Sequence, residues 1–251
     1  MIDLHTHSIA SGHALNTVYE LAQHAKNKGV SVLGITEHGP SMKGAPHDEY
    51  FWISDKLNEL FGVKILLGVE ANILNINGEI DLNDNLLKQQ KVVSASIHNF
   101  TPYCSNSLED NTKSIINAMK NPFVKIITHP YSPDFPVDIK KICKHSKETN
   151  TLLEINNQLF SRISVSNTNS ILDNYKTLIN ECKKNNFPVI FGSDAHIAHD
   201  IGNFTDILRY NEILEISDDM IINKNKELLL KYMNNDKRTT TLYISHWATD
   251  G

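Results

Sequence analysis

The 251 residues carry a formal net charge of −5, with 40% hydrophobic and 8% aromatic residues. That length suits one α/β barrel domain whose core needs no disulfides. The acidic balance and the lack of a Lys/Arg run leave no electrostatic footprint for long nucleic acid, while short or terminal nucleotide substrates stay open.

In chain order, short apolar runs alternate with amphipathic stretches. Ile2-Asp3-Leu4 reads as a strand, and Leu15 to Lys28 as a helix with Val18, Leu21, Ala22 and Ala25 on one face and Gly29 to close it. Val30 to Thr36 is the next strand, Asp48 to Phe61 the next helix and Val63 to Glu70 the third strand. Ile73 to Asp81 then breaks the rhythm, because Asn77-Gly78 between apolar residues predicts a two-residue hairpin. The alternation resumes with strands at Lys91 to Ile97, Val124 to Thr128, Leu152 to Ile155 and Val189 to Gly192. Helices are expected at Leu108 to Lys120, Val137 to Lys147, Ser170 to Lys184, Phe204 to Leu214 and Lys224 to Met233. Seven β-then-α units with buried parallel strands imply a barrel or an open doubly wound sheet. Residues 1–235 form the expected domain, and 236–251 a tail in which Thr239 to Ile244 reads as an edge strand.

Cys104, Cys143 and Cys182 are odd in number, widely spaced and outside any C-x-x-C, as in reduced thiols; Cys143 and Cys182 fall on apolar helix stripes. The opening residues lack the features of a secretory leader and no apolar run approaches a membrane span, so the expectation is a cytoplasmic protein without membrane contact.

The chemistry lies at the strand ends. His5 and His7 form an H-x-H after the first strand, and i, i+2 residues share one side of an extended chain. His13 follows in the first loop, and His38 ends the second strand. Glu70, His98 and His129 end the third, fourth and fifth, and Asp194 with His196 forms a D-x-H after the seventh. Strand ends of a parallel α/β array converge on one face, so these nine residues predict a multi-metal site there. They exceed the roughly four ligands of one zinc ion. Four further histidines read as ordinary: His24 and His145 on polar helix faces, His199 in a loop and His246 in the tail; His47, in the loop after His38 beside Tyr50, Phe51 and Trp52, is left unassigned. No glycine-rich phosphate loop and no Ser-His-Asp motif set is present, so no protein nucleophile is expected.

His5-Thr6-His7-Ser8, Thr36-Glu37-His38-Gly39, Gly68-Val69-Glu70, His98, Thr128-His129-Pro130 and Gly192-Ser193-Asp194-Ala195-His196 together resemble the PHP (polymerase and histidinol phosphatase) family. Ala10-Ser11-Gly12-His13-Ala14, Glu70-Ala71-Asn72-Ile73 with Asn77-Gly78-Glu79-Ile80-Asp81, and Glu154-Ile155-Asn156-Asn157 are similar to its bacterial trinuclear-zinc phosphatase branch. The resemblance covers about residues 1–235 and implies a distorted seven-stranded (β/α)7 TIM-like barrel. It further implies three divalent ions, zinc foremost, with manganese or iron compatible with the same donors. His5, His7, Glu70 and Asp194 would hold the first ion; Glu70 would bridge to a second, completed by His98 and His129; His13, His38 and His196 would hold the third. Glu37 departs from the family motif, which carries Asp before the histidine, and this bears on how the neighbouring ligands are oriented. Arg162, in Phe160-Ser161-Arg162, matches the family's phosphate-binding arginine; a solvated loop arginine is the alternative reading.

The function implied is hydrolysis of small phosphomonoesters by a metal-activated water. The competing readings are a histidinol phosphatase, a phosphodiesterase or exonuclease of the same family and, in a different class, a metal-storing or metal-sensing protein. A deaminase of the amidohydrolase type would need a bridging lysine, and Glu70 stands in the bridging place instead.

Overall fold

The computed structural model describes residues 1–105, 107–164 and 169–234. The expected tail strand at 239–244 lies outside them. The first half of the chain forms β1 (Ile2–Asp3), α1 (Val18–Asn27), β2 (Val32–His38), β3 (Glu59–Leu60), β4 (Val63–Asn72), α2 (Asp84–Leu87), β5 (Val92–Ser96) and α3 (Leu108–Met119). The second half forms β6 (Ile126–Ile127), α4 (Ile139–Thr149), β7 (Leu152–Asn156), α5 (Asn157–Ser161), α6 (Asn169–Lys184), β8 (Val189–Gly192), α7 (Thr205–Arg209), α8 (Asn211–Leu214) and α9 (Lys226–Asn234). Seven strands pair in parallel in the order β1-β2-β4-β5-β6-β7-β8, with β3 antiparallel on β4. The result is a nearly closed (β/α)7 barrel, as expected.

The barrel interior is layered. Ile2, Val32, Leu66, Val92, Ile126, Leu152 and Ile190, one from each parallel strand, pack as an apolar floor with Leu229 and Met233 of α9. Two residues further along come Gly34, Gly68, Ser94, Thr128, Glu154 and Gly192, mostly small, and beyond these the histidines and carboxylates. This order follows from period-2 alternation in β2, β4, β5 and β8, where one face supplies an apolar, then a small, then a polar interior residue; Leu4 extends the apolar floor in the first strand. The glycines are needed where chains crowd. A Cβ on Gly34 would lie 2.7 Å from the Cα of Leu4, and one on Gly192 would lie 1.8 Å from Oε1 of Glu154.

Closure between β1 and β8 is made largely outside the named strands. Thr6 and Ala195 form a parallel bridge, with Asp194 N donating to His5 O (2.9 Å) and His7 N to Ala195 O (2.9 Å). Lower down, the buried Asn223 side chain stitches the seam: Nδ2 donates to Ile2 O (3.1 Å) and Phe191 O (2.8 Å), and Oδ1 accepts from Phe191 N (2.8 Å). Asp3, also buried, accepts from the backbone of His5, Ser193 and Gly202, and burial pushes its carboxyl above the usual range against those hydrogen bonds.

The helices end as their sequences dictate. Thr17 and Glu20 make a reciprocal cap on α1, and Asn150 closes α4 in the left-handed conformation. Three local expectations change. Asp48–Ile53 forms 3-10 turns, and Glu59–Leu60 turns back along β4 as β3, so the predicted helix over 48–61 is absent. The helix expected over 204–214 is two short ones broken at Tyr210. The hairpin after β4 pairs Ile73 with Ile80 around a six-residue loop, because Asn75 Oδ1 accepts from the backbone of Asn77 and Glu79. Cys143 and Cys182 are buried as expected, and Cys104 is exposed. Among the described residues no helix is long and apolar enough to cross a membrane.

Replacing Asn223 by Ala should strip three hydrogen bonds from the seam and strand their backbone partners. At roughly 0.5–1.5 kcal/mol each, the loss is about 2–4 kcal/mol. Urea denaturation should show a lower midpoint with an unchanged slope; an unchanged midpoint would remove Asn223 from the closure.

Candidate metal centre

All nine expected residues meet at the C-terminal mouth of the barrel. The register that pairs His38 with Glu70, and Glu70 with Ser94, sets the centre. Glu70 is fully buried. Its Oε2 lies 3.3 Å from His5 Nε2, 3.5 Å from His7 Nε2 and 3.1 Å from His38 Nδ1. Its Oε1 lies 3.3 Å from His98 Nε2 and 3.0 Å from His129 Nε2, and accepts from Thr128 Oγ1 at 2.7 Å. Asp194 Oδ1 approaches His5 Nε2 (3.4 Å) and His7 Nε2 (3.3 Å). At the outer rim His13 Nε2 and His196 Nε2 are 2.9 Å apart, and their rings stack at 4.7 Å between centroids.

Behind this ring stands a second row of residues that fixes each imidazole. His5 Nδ1 donates to Glu154 Oε1 (2.7 Å), and His98 Nδ1 donates to Asn72 Oδ1 (2.7 Å). His7 Nδ1 donates to Ser11 Oγ (3.1 Å), which in turn donates to Glu37 Oε2 (2.6 Å). His196 Nδ1 donates to Asp194 O (2.9 Å). A proton committed on Nδ1 leaves a lone pair on Nε2, and in all four rings that lone pair is turned to the cluster.

Several of these supporting residues were not singled out from the sequence. Glu154 also accepts from His129 N (2.8 Å) and Asn156 Nδ2 (3.0 Å) through Oε2, while Asn156 Nδ2 reaches Asp194 Oδ2 (3.2 Å). Asn72 is itself held by Asp81, which returns from the hairpin to accept from Asn72 N at 2.8 Å. Alternation could have found Glu154 and Asn156: both lie on the inward face of β7 above Leu152. Glu37 accepts from Ser8, Ser11 and Tyr50, so the longer side chain is fully used in holding the first loop against β2. Two site residues have left-handed backbone, His129 at φ +28° and Asp194 at φ +56°, conformations that cost a non-glycine residue free energy and are held by the network around them.

The electrostatics suit a cation. Burial works against ionised Glu70, yet His5, His98 and the other imidazoles bring its carboxyl well below the ordinary range. Asp194 is lowered too: burial opposes the shift, and His5 and His7 overrule it. Burial lowers His7 well below its usual value, helped by His38, and brings His98 to about 4 against the pull of Glu70. Only neutral imidazoles bind metal, so both rings stand ready. Four of the six buried side-chain atoms without a hydrogen-bond partner among the described residues belong to this cluster: His5 Nε2, His7 Nε2, His38 Nδ1 and Glu70 Oε2. They converge on one volume, where an unpaired buried polar atom is costly and a metal ion would engage all of them. The residues present therefore fit divalent ions. The tightest groups are His5 with His7 and Glu70; His38 with Glu70 and His98; and His7 with His38 and His196. His38 thus stands between Glu70 and the outer histidines, closer to the centre than the resemblance implies.

The cluster floors a cavity of about 640 Å³, whose wall includes Arg162 and Lys43. Arg162 is exposed and donates from Nη2 to Gln158 Oε1 (3.1 Å), and Gln158 Nε2 donates to Asp194 O (3.4 Å). Of the other histidines, His145 pairs with Glu148 on α4, and His246 lies outside the described residues.

A parallel barrel with histidines and carboxylates gathered at its C-terminal mouth defines a hydrolase of the metal-dependent barrel type. The PHP domain model matches residues 3–176, and the PHP-associated model matches 179–216. The chain belongs to the PHP family. It is 37% identical to the "Probable phosphatase" of Clostridium novyi, over 97% of this chain and 98% of that one. It is 39% identical to one from Thermoanaerobacter sp., over 95% and 96%. The crystal structure of histidinol phosphate phosphatase from Lactococcus lactis, complexed with zinc, L-histidinol and phosphate, shares the fold. Its TM-score is 0.58 at 18% identity, with 85% of this chain and 92% of that one covered.

Glu154→Gln keeps the shape but loses the charge that holds the His5 proton. Metal affinity should fall on the order of 10–100-fold, the usual effect of removing such a support. Competition with a chromophoric chelator measures it, and an unchanged affinity would make Glu154 a packing residue only.

Proposed function

We propose that this phosphatase hydrolyses small phosphomonoesters at a site of three divalent ions, zinc foremost, with manganese or iron as alternatives. One observation carries the reading: the two oxygens of Glu70 face different sets of imidazoles, His5, His7 and His38 on one side and His98 and His129 on the other. That is the layout of a bridging carboxylate. His5, His7, Glu70 and Asp194 would hold one ion, Glu70, His98 and His129 a second, and His13, His38 and His196 a third. When bound, such ions supply an activated water and the positive charge that a phosphoryl group needs.

The residues of the chain itself do the rest. Arg162 binds terminal phosphate oxygens from the cavity wall, and its tie through Gln158 to the Asp194 carbonyl holds it level with the cluster. Lys43 adds a second cation on that wall. The second row fixes the tautomers of His5, His7, His98 and His196. Against burial, the neighbouring carboxylates hold His5 well above its usual range and raise His129, so an ion entering there would displace protons. A small phosphorylated substrate matches the pocket, and kinship to named phosphatases supports the same class.

Metal analysis of chelator-free protein, with kinetics on p-nitrophenyl phosphate and its bis ester, tests the proposal. About three ions per chain and a preference for the monoester are expected. One ion or fewer would defeat the trinuclear reading. Full occupancy with no turnover of any ester would favour a metal store, and a faster diester would favour a phosphodiesterase. Arg162→Ala should slow monoester turnover by about 1.5–3 kcal/mol, the range for a charge-assisted hydrogen bond. The diester, which carries one charge less, should lose less, so the ratio of the two rates should narrow. An equal fall in both would make Arg162 a general binder.

A further inference from the structure

The cavity above the cluster is larger than a phosphate requires. At about 640 Å³ it falls in the range of pockets that enclose whole small-molecule ligands. The cluster and Arg162 account for the phosphoryl end, which leaves wall for a leaving group. That wall carries Phe100, Phe135 and Leu159.

Phe100 is unusual on two independent counts. It is 89% exposed, more than any other large hydrophobic residue among those described. Its backbone is also left-handed, at φ +65°. Glycine or asparagine would close this turn without strain. A phenylalanine here takes on the strain and gains no burial from the fold in return, and such residues gather at ligand clamps. The loop that carries the residue is also anchored near the chemistry. Phe100 lies two residues after His98, Thr101 Oγ1 donates to His98 O (2.9 Å), and Asn99 Nδ2 donates to Asp134 Oδ2 (3.3 Å), tying this loop to the one after β6.

We propose that Phe100 is a stacking platform for the leaving group, and that the preferred substrates are phosphomonoesters of alcohols bearing a flat aromatic ring. The inference rests on the phosphatase reading of the site. A phenyl ring so exposed offers a face to a ligand, and a flat ring covers it at low entropic cost with offset or edge contacts that an alkyl chain lacks.

The test is calorimetric binding of two non-hydrolysable compounds, benzylphosphonate and butylphosphonate, to the zinc-loaded full chain. The benzyl compound should bind about three- to tenfold more tightly, the range for an aromatic pair beyond its buried area. Phe100→Leu keeps apolar bulk and should erase the preference; Phe100→Trp should keep it. Equal affinities in the unmodified protein, a preference that survives Phe100→Leu, or no binding of either compound overturns the proposal. Turnover of p-nitrophenyl phosphate is read separately. If the benzyl preference holds and no ester is hydrolysed, the platform stands and the phosphatase reading falls.

Discussion

The structure is organised around one buried carboxylate. Glu70 sits at the barrel axis with five imidazole nitrogens within 3.5 Å of its two oxygens. A charge so placed is tolerable only with opposite charge or full hydrogen bonding beside it. Oε1 has Thr128 and His129 as hydrogen-bond partners, while Oε2 has none. Of the three rings that face Oε2, His5 and His7 each hold a proton on Nδ1 toward Glu154 and Ser11, and His38 Nδ1, 3.1 Å away, makes no hydrogen bond. A divalent ion resolves the conflict, accepting the lone pairs and balancing the carboxylate together.

That arrangement shapes the layers beneath it. An apolar floor excludes water from below, so the cluster is wet only from its mouth. The small residues of the middle layer leave room for Glu154 to rise inside the barrel and reach both His5 and the backbone of His129. A side chain at Gly192 would collide with that carboxylate. The strain at His129 and Asp194 belongs to the same account, since it turns two side chains inward past the end of their strands.

Much of this was legible from residue order. His5-x-His7 and Asp194-x-His196 signal themselves by spacing, and His38, Glu70, His98 and His129 by falling where apolar runs stop. The strands were found because inward apolar residues recur, and the long helices α1, α3, α4 and α6 because their apolar stripes do. The failures have physical causes. The segment over 48–61 has helical composition, but its Glu59-Leu60 finds a better partner in the edge of β4 than in a further helical turn. The hairpin loop was set by the Asn75 side chain, not by Asn77-Gly78 alone. Asn72, Glu154 and Asn156 carry no signal of their partners in the sequence beyond likeness to the family. Their roles depend on which residues stand opposite across the barrel, and no local pattern contains that.

The seam between the first and last strands joins fold and chemistry. β1 has only two residues in the ladder, and the barrel is closed above it by the pairing of the 5–7 segment with 194–195. Those same segments supply His5, His7, Asp194 and His196, so ligands from both sides of the shortest joint meet across it. A slip of one residue by either segment would turn its own motif, H-x-H or D-x-H, away from Glu70. Asn223 and Asp3 fix the register from below with hydrogen bonds to backbone on both sides. An ion shared by His5, His7 and Asp194 would fix it from above. Barrel closure and metal binding are then linked equilibria: whatever holds the seam in register assembles the ligands, and whatever binds the ligands closes the barrel.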